Sequence, residues 1–230
     1  MSIEVPIVYI LAGIVTLLAA VVASFFLLKK KQTGDTILLL GVSDAGKTAL
    51  YTLIRFGKKA LTVTSMKENE GSVTLGNKTF GLVDMPGHER IRYRYSEFLP
   101  VARGIVFVVD STTISRQIRS VAEYLYNVLA SLEAQNRKLP VLIACNKADM
   151  ITALPKDKIQ TLLEAEINRL RGTRTAAVEQ QNSEGDDQEG FLGYEGEAFK
   201  FEHLESIVDF EVCSVQKEEI DSVTGWIESL

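Results

Sequence analysis

Three short runs of residues in this 230-residue chain have the types and spacing needed to hold a nucleotide. The first is Gly41-Val-Ser-Asp-Ala-Gly46-Lys47-Thr48, which fits the pattern G-x-x-x-x-G-K-[ST]. Glycines at its ends let backbone N–H groups curl around phosphate oxygens, and Asp44, Ala45 and Ala49 complete the run into the next element. A helix opening there presents its positive end to the phosphates. Lys47 suits the β- and γ-phosphates, and the Thr48 hydroxyl suits a Mg²⁺ ion. This run does not distinguish ATP from GTP.

The second run, Asn146-Lys147-Ala148-Asp149, makes that distinction. The Asp149 carboxylate can accept from guanine N1–H and from the exocyclic 2-amino group together. Adenine lacks the 2-amino group and offers an acceptor at N1, so the carboxylate would be left unpaired. Sites of this kind reject the wrong ligand by about 10⁴-fold or more. Asn146 would brace neighbouring loops, and the Lys147 stem would lie along the base. In the third run, Asp84-Met85-Pro86-Gly87-His88, Asp84 can hold Mg²⁺ through water. The Gly87 N–H can bond a γ-phosphate, so this segment senses whether that phosphate is present. Taken singly, the runs could be a chance pattern, a helix cap and a Pro-Gly turn. Their order along one chain argues against all three.

The elements that must position these runs follow from hydrophobic periodicity. Thr36–Leu40 is a compact apolar run leading into Gly41, and a helix is expected from Lys47 to about Phe56. Runs at 72–75 and 79–83 flank Gly76-Asn77, a dipeptide suited to a tight hairpin turn. Residues 104–110 (GIVFVVD) and 141–146 (VLIACN) have the β-branched, wholly apolar character of parallel strands buried on both faces. Between them Ile118, Val121, Leu125, Val128, Leu129 and Leu132 recur at helical spacing, and Ile159, Leu162, Leu163, Ile167 and Leu170 mark a second helix. A last strand is expected at 207–213, and Val223, Trp226, Ile227 and Leu230 mark a closing helix. Strands alternating with helices specify a doubly wound α/β sheet, whose ligands bind at the carboxyl ends of the strands. Residues 171–197 are rich in Gly, Gln, Ser, Thr and acids, with little to bury, and read as a flexible insertion.

A net charge of −5 and a pI near 5.3 argue against a protein that grips nucleic acid through its phosphates. Cys145, Cys213, His88 and His203 offer neither a disulfide framework nor zinc spacing. Residues 6–28, PIVYILAGIVTLLAAVVASFFLL, carry no charge and are long enough to cross a bilayer as a helix. That run is too long for a cleaved signal peptide and has no basic stretch before it. Lys29, Lys30 and Lys31 follow it, whereas only Glu4 precedes it. The positive-inside bias therefore sends residues 1–5 across the membrane, leaving a basic linker at 29–35 and a domain at 36–230 in the cytosol. The sequon Asn77-Lys78-Thr79 would stay unmodified there.

The three runs, in this order, resemble the Ras superfamily, and the hairpin entry to Asp84 resembles its Arf and Sar branch. Within that branch, a single N-terminal membrane span with D-x-P-G-H is similar to the beta subunits of the signal recognition particle receptor. Residues 142–149, Leu170-Arg-Gly-Thr-Arg174 and Gly193-Tyr-Glu-Gly-Glu-Ala-Phe-Lys-Phe201 resemble that family too. The resemblance implies a mostly parallel six-stranded sheet with helices on both faces, GTP or GDP with Mg²⁺ as cofactors, and slow intrinsic hydrolysis. It implies the receptor's alpha subunit as partner at the endoplasmic reticulum membrane. Signal recognition particle, ribosome and translocon would be met indirectly, with no direct nucleic-acid binding.

Residue by residue, the likeness carries over to Gly41, Asp44, Gly46, Lys47, Thr48, Asp84, Gly87, Asn146, Lys147 and Asp149. The switch I magnesium contact falls at Thr64 or Ser65. The last guanine loop, S-A-K in Ras-like proteins, falls at Cys213-Ser214-Val215, where its role is mostly a backbone N–H to the guanine oxygen. His88 stands where Ras-like GTPases have a water-positioning Gln; it either orients a water or packs beside the switch. Arg90, Arg92 and Arg94 read as a partner-facing surface, and His203 as structural. Two rival readings differ in class: a cycling Arf- or Sar-type GTPase that recruits coat or tether proteins, and a structural anchor with permanently bound nucleotide.

Overall fold

Neighbouring side chains of a strand point to opposite faces, so a strand buried at nearly every position must be covered on both. The computed structural model describes residues 34–63, 65–180 and 191–230, with 175–180 by backbone alone. In it β1 (Thr36–Leu40), β4 (Ala102–Asp110) and β5 (Val141–Asn146) are buried in this way and form the middle of a six-stranded sheet. The order is β2-β3-β1-β4-β5-β6. All neighbours run parallel except β2 (Asn69–Leu75) and β3 (Lys78–Asp84), an antiparallel hairpin turning at Gly76-Asn77, where Gly76 takes a φ of 56°. The half-polar strands β2 and β6 (Val208–Val212) take the edges. Two β6 carbonyls, on Phe210 and Val212, accept side-chain hydrogen bonds from Lys156 and Ser222 rather than a further strand.

Helix α1 (Lys47–Phe56) follows β1, and a 3₁₀ turn at Arg92–Arg94 leads into the short α2 (Tyr95–Phe98). Helices α3 (Ile114–Ala130) and α5 (Lys156–Gln180) pack on one another, with α4 (Leu132–Arg137) after α3 and α6 (Asp221–Ser229) closing the chain. Val121, Leu125, Val128 and Leu129 are buried as the stripe requires. Leu132 departs from it and is 51% exposed. Ser131 leaves the helix with ψ 131° and caps α4 by accepting from the Ala134 N–H, so the stripe ends one turn early.

The expectation of a flexible insertion at 171–197 needs narrowing. Helix α5 runs through Arg171 to Gln180, and residues 191–201 fold back on it. The Arg171 guanidinium donates to the carbonyls of Leu192 and Tyr194, each at 3.0 Å, and to the Glu197 carbonyl. Asn168 Oδ1 accepts from the Phe199 N–H at 3.0 Å, and Glu164 holds Lys200 at 2.6 Å. Leu192, Phe199 and Phe201 are buried beneath. Composition predicted disorder because it counts apolar area. It misses that three polar side chains on one helix face can satisfy a returning backbone.

Residues 181–190 lie outside the described residues, as do Thr64, the expected membrane span at 6–28 and the linker up to residue 33. Among the described residues no helix is long and apolar enough to cross a membrane.

Candidate functional site

The three sequence runs meet at the carboxyl edge of the sheet. There β1 exits into Gly41, β3 into Met85 and β5 into Lys147. Gly41, Asp44 and Gly46 take φ values of 135°, 63° and 99°. Left-handed residues set among right-handed ones turn successive N–H groups to one side, which makes an anion-binding concavity. Helix α1 opens directly from this loop. Its N-cap, Gly46, supplies no side-chain bond, and its first turn holds no acid. The free N–H groups and positive end of α1 are thus left for an anion.

Lys47 is buried under the loop, its Nζ donating to the Val42 carbonyl at 2.8 Å. Burial pulls its pKa down to about 8, against the opposing charges of Asp84 and Asp44. Beside it, Thr48 Oγ1 donates to Asp84 Oδ2 at 2.7 Å and lies 3.1 Å from Ser65 Oγ. Asn69 Nδ2 donates to the same Asp84 oxygen at 3.0 Å. The other oxygen, Asp84 Oδ1, is buried with no partner among the described residues. Burial raises the Asp84 pKa, although Thr48, Asn69 and Lys47 act the other way. An unpaired carboxylate oxygen beside two hydroxyls is a donor set that a hard cation such as Mg²⁺ completes. The residues present fit that ion.

A Cβ on Gly87 would lie 2.6 Å from both Lys47 Nζ and the Ser43 nitrogen, so only glycine lets this backbone approach the loop. The resulting cleft, ≈ 330 Å³, is lined by Lys47, Thr48, Ser65, Gly87 and Lys147 among others.

The second motif brackets the first from behind. Buried Asn146 donates from Nδ2 to the Ala45 carbonyl at 2.9 Å and accepts at Oδ1 from the Val215 N–H at 3.1 Å. It therefore braces both loops, as its motif position suggested. Lys147 Nζ donates to the Asp44 carbonyl at 2.9 Å and pairs with Asp110 Oδ2 at 2.6 Å. Asp149 Oδ1 accepts from Ser214 Oγ at 2.6 Å. Cys213, the first residue of the expected triplet, has a buried thiol, its pKa pushed by burial to about 12.

Other candidates stand apart. His88 is exposed, accepts from the Arg90 N–H at 3.3 Å and does not line the cleft. Of the three arginines expected on a partner surface, two are internal ties. Arg94 makes a two-pronged pair with Glu68 at 2.7 and 3.1 Å, and Arg92 sits 5.0 Å over the Tyr124 ring. His203 packs 5.0 Å from the Tyr194 ring.

Asn69 and Asp110 are the site residues that sequence reasoning missed. Each pairs in strand register with a motif residue, Asn69 with Asp84 and Asp110 with Asn146. For Asp110 a polar residue ending a buried strand was the available signal; Asn69 opens the half-polar strand β2 and carried none.

A second cavity, ≈ 480 Å³, is lined by Lys138 and Glu205, which pair with each other at 3.0 Å. It is larger than the first, but the motif residues do not line it.

Residues 32–208 match the family model for the signal recognition particle receptor beta subunit. The signal recognition particle receptor subunit beta of Mus musculus is 35% identical over 209 residues, covering 89% of this chain and 77% of that protein. Among solved structures, that of the mammalian signal recognition particle receptor superposes with a TM-score of 0.76 at 33% identity, covering 84% of this chain and 98% of the other. Receptor SRb with GDP and Mg from Chaetomium thermophilum gives 0.65 at 28% identity, covering 87% and 99%. The fold is that of a Ras-like GTPase domain, and the chain belongs to the signal recognition particle receptor beta subunit family.

Proposed function

We propose that this chain binds GTP or GDP with Mg²⁺ at the carboxyl edge of its sheet and, in the GTP state, holds the receptor's alpha subunit at the endoplasmic reticulum membrane. The observation that carries the nucleotide reading is the buried Asp84 Oδ1, unpaired among the described residues, on a carboxylate whose other oxygen holds Thr48, next to an uncapped helix N-terminus. The solved SRb relative with GDP and Mg supports the same ligands.

In this reading the loop 41–48 and Lys47 hold the phosphates, while Asp149 selects guanine and Asn146 and Lys147 keep its loop in place. Thr48, Asp84 and Ser65 or Thr64 would hold Mg²⁺, which when bound offsets the negative charge of the phosphate oxygens. Ser65 and Asp84 are both hydrogen-bonded to Thr48, and Gly87 lies against Lys47. In this reading the order of Ser65 and of residues 84–87 depends on what fills the phosphate site. His88 is left as a residue that must move inward to orient a water, which fits slow hydrolysis. The membrane anchor is the uncharged run at 6–28, with Lys29 to Lys31 keeping the domain cytosolic. The partner surface lies beside the cleft, where Leu61, Val63, Met66 and Tyr93 are exposed.

A partner that docks on ordered switch segments gains affinity only by as much as it prefers that state. A bias of about 3 kcal/mol corresponds to roughly a 150-fold preference. The alpha subunit should bind the GTP-loaded full chain by that order more tightly than the GDP-loaded or nucleotide-free chain, and Thr48→Asn should weaken the complex. Equal partner affinity in all three nucleotide states would leave the permanent structural anchor as the surviving reading.

A further inference from the structure

We infer that Asp110 is a positioning residue for nucleotide retention, tying the guanine-reading loop to the phosphate loop through the Lys147 ammonium. The inference rests on the guanine-nucleotide reading above. Asp110 ends β4 and is 6% exposed. Its Oδ1 is fixed by the Thr112 N–H at 2.8 Å and the Thr112 hydroxyl at 2.6 Å. That leaves Oδ2 directed at Lys147 Nζ, 2.6 Å away. The same ammonium donates to the Asp44 carbonyl at 2.9 Å.

Both loops joined by this ammonium hold a residue under backbone strain. Asp44 and Lys147 are non-glycine residues with φ of 63°, a region that L side chains hold only when their surroundings over-determine it. A lysine stem lining the cleft is flexible unless its tip is pinned, and here the tip is pinned from two sides. Burial raises the Asp110 pKa, but the bonds from Lys147 and Thr112 together with the Lys147 charge outweigh it and hold the carboxyl below its ordinary value. The group is therefore anionic at neutral pH. Asn146, the preceding residue, ties the same phosphate loop at Ala45, and also the Val215 N–H, by neutral bonds. Asp110 supplies the charged half of the bracket without touching the ligand.

The test uses the detergent-solubilised full chain loaded with GDP carrying a fluorescent ribose tag and chased with excess GDP. Asp110→Asn should release the nucleotide about tenfold faster, the scale of a lost hydrogen bond to a charged group. Lys147→Met should also speed release, and Asp110→Asn should then add nothing, because both changes cut one link. The factor for Asp110→Asn should be the same with tagged inosine diphosphate, since Asp149 and not Asp110 reads the 2-amino group. Thr112→Val keeps the charge and the bond from the residue 112 N–H but removes the hydroxyl bond to Oδ1, and should speed release by about two- to threefold; it carries the test if Asp110→Asn does not fold. An unchanged release rate, or a full additional factor on the Lys147→Met background, overturns the proposal. A chain that binds no GDP at all overturns both this proposal and the function it rests on, whereas normal GDP binding with an unaffected Asp110→Asn overturns only this one.

Discussion

At the α5 clamp a buried arginine is bonded to a returning backbone, whereas at the carboxyl edge of the sheet a buried aspartate keeps one oxygen unpaired. Both regions take charge out of water. In the clamp, Glu164, Asn168 and Arg171 use it to close residues 192–201 onto the helix. At the sheet edge the same kind of burial leaves openings. Asp84 Oδ1 has no partner among the described residues, Lys47 is drawn down to a pKa of about 8, α1 begins without a side-chain cap, and Asp44 and Lys147 are held at positive φ. A bonded buried group rigidifies a fold. An unpaired one costs stability and persists where a ligand supplies the missing partner. Burial alone marks neither region as a site; burial without a partner marks one of them.

Substitutions should separate the two regions by sign. Arg171→Met strands the carbonyls of Leu192, Tyr194 and Glu197, and should cost about 3 kcal/mol of stability while leaving GDP affinity unchanged. Asp84→Asn should do the reverse. Folding raises the Asp84 pKa, so the folded state holds this proton more tightly than the unfolded one. Stability is then lost as pH rises from the ordinary carboxylate range through the raised value, and at neutral pH the cost is present. Removing that charge should stabilise the metal-free, nucleotide-free chain and abolish Mg²⁺-dependent retention of GDP. Thermal unfolding followed by Trp226, the sole tryptophan, reads both changes. If Asp84→Asn destabilises as Arg171→Met does, the contrast between the regions collapses.

A smaller effect sharpens the reading of Lys47. With a pKa of about 8 in the free chain, Lys47 is charged at neutral pH and loses its proton above that value. Phosphates favour the charged form, so binding above pH 8 must take up a proton. Affinity for GDP should be flat up to about pH 7.5 and then fall by up to about tenfold per pH unit. An affinity that does not change across this range would mean that Lys47 does not meet the phosphates.

Much of this arrangement is legible in the sequence. The strand at Thr36–Leu40 and the helix from Lys47 to Phe56 stand where periodicity puts them, because a strand–glycine loop–helix unit is specified locally. The hairpin at Gly76-Asn77 is local in the same sense. What escaped depends on register or on distant partners. Asn69 and Asp110 gain their meaning from the strand residues opposite them, Asp84 and Asn146. The tie between Ser214 and Asp149 is a hydrogen bond spanning 65 residues of sequence. Arg171 looked like the start of a polar insertion because its partners are backbone carbonyls, which carry no side-chain signature. Leu132 satisfied the helical spacing and was still turned outward, since a capping serine outweighs one apolar position.

The central claim is that this edge of the sheet selects a guanine nucleotide, and calorimetric titration of the full chain, stripped of co-purifying nucleotide, tests it most directly. The account predicts that GTP binds tighter than ATP by about 10⁴-fold or more, because adenine would leave the Asp149 carboxylate unpaired. It also predicts that Asp149→Asn moves the preference toward xanthosine triphosphate, whose 2-carbonyl accepts where guanine donates. Equal affinity of the unsubstituted chain for GTP and ATP would contradict it.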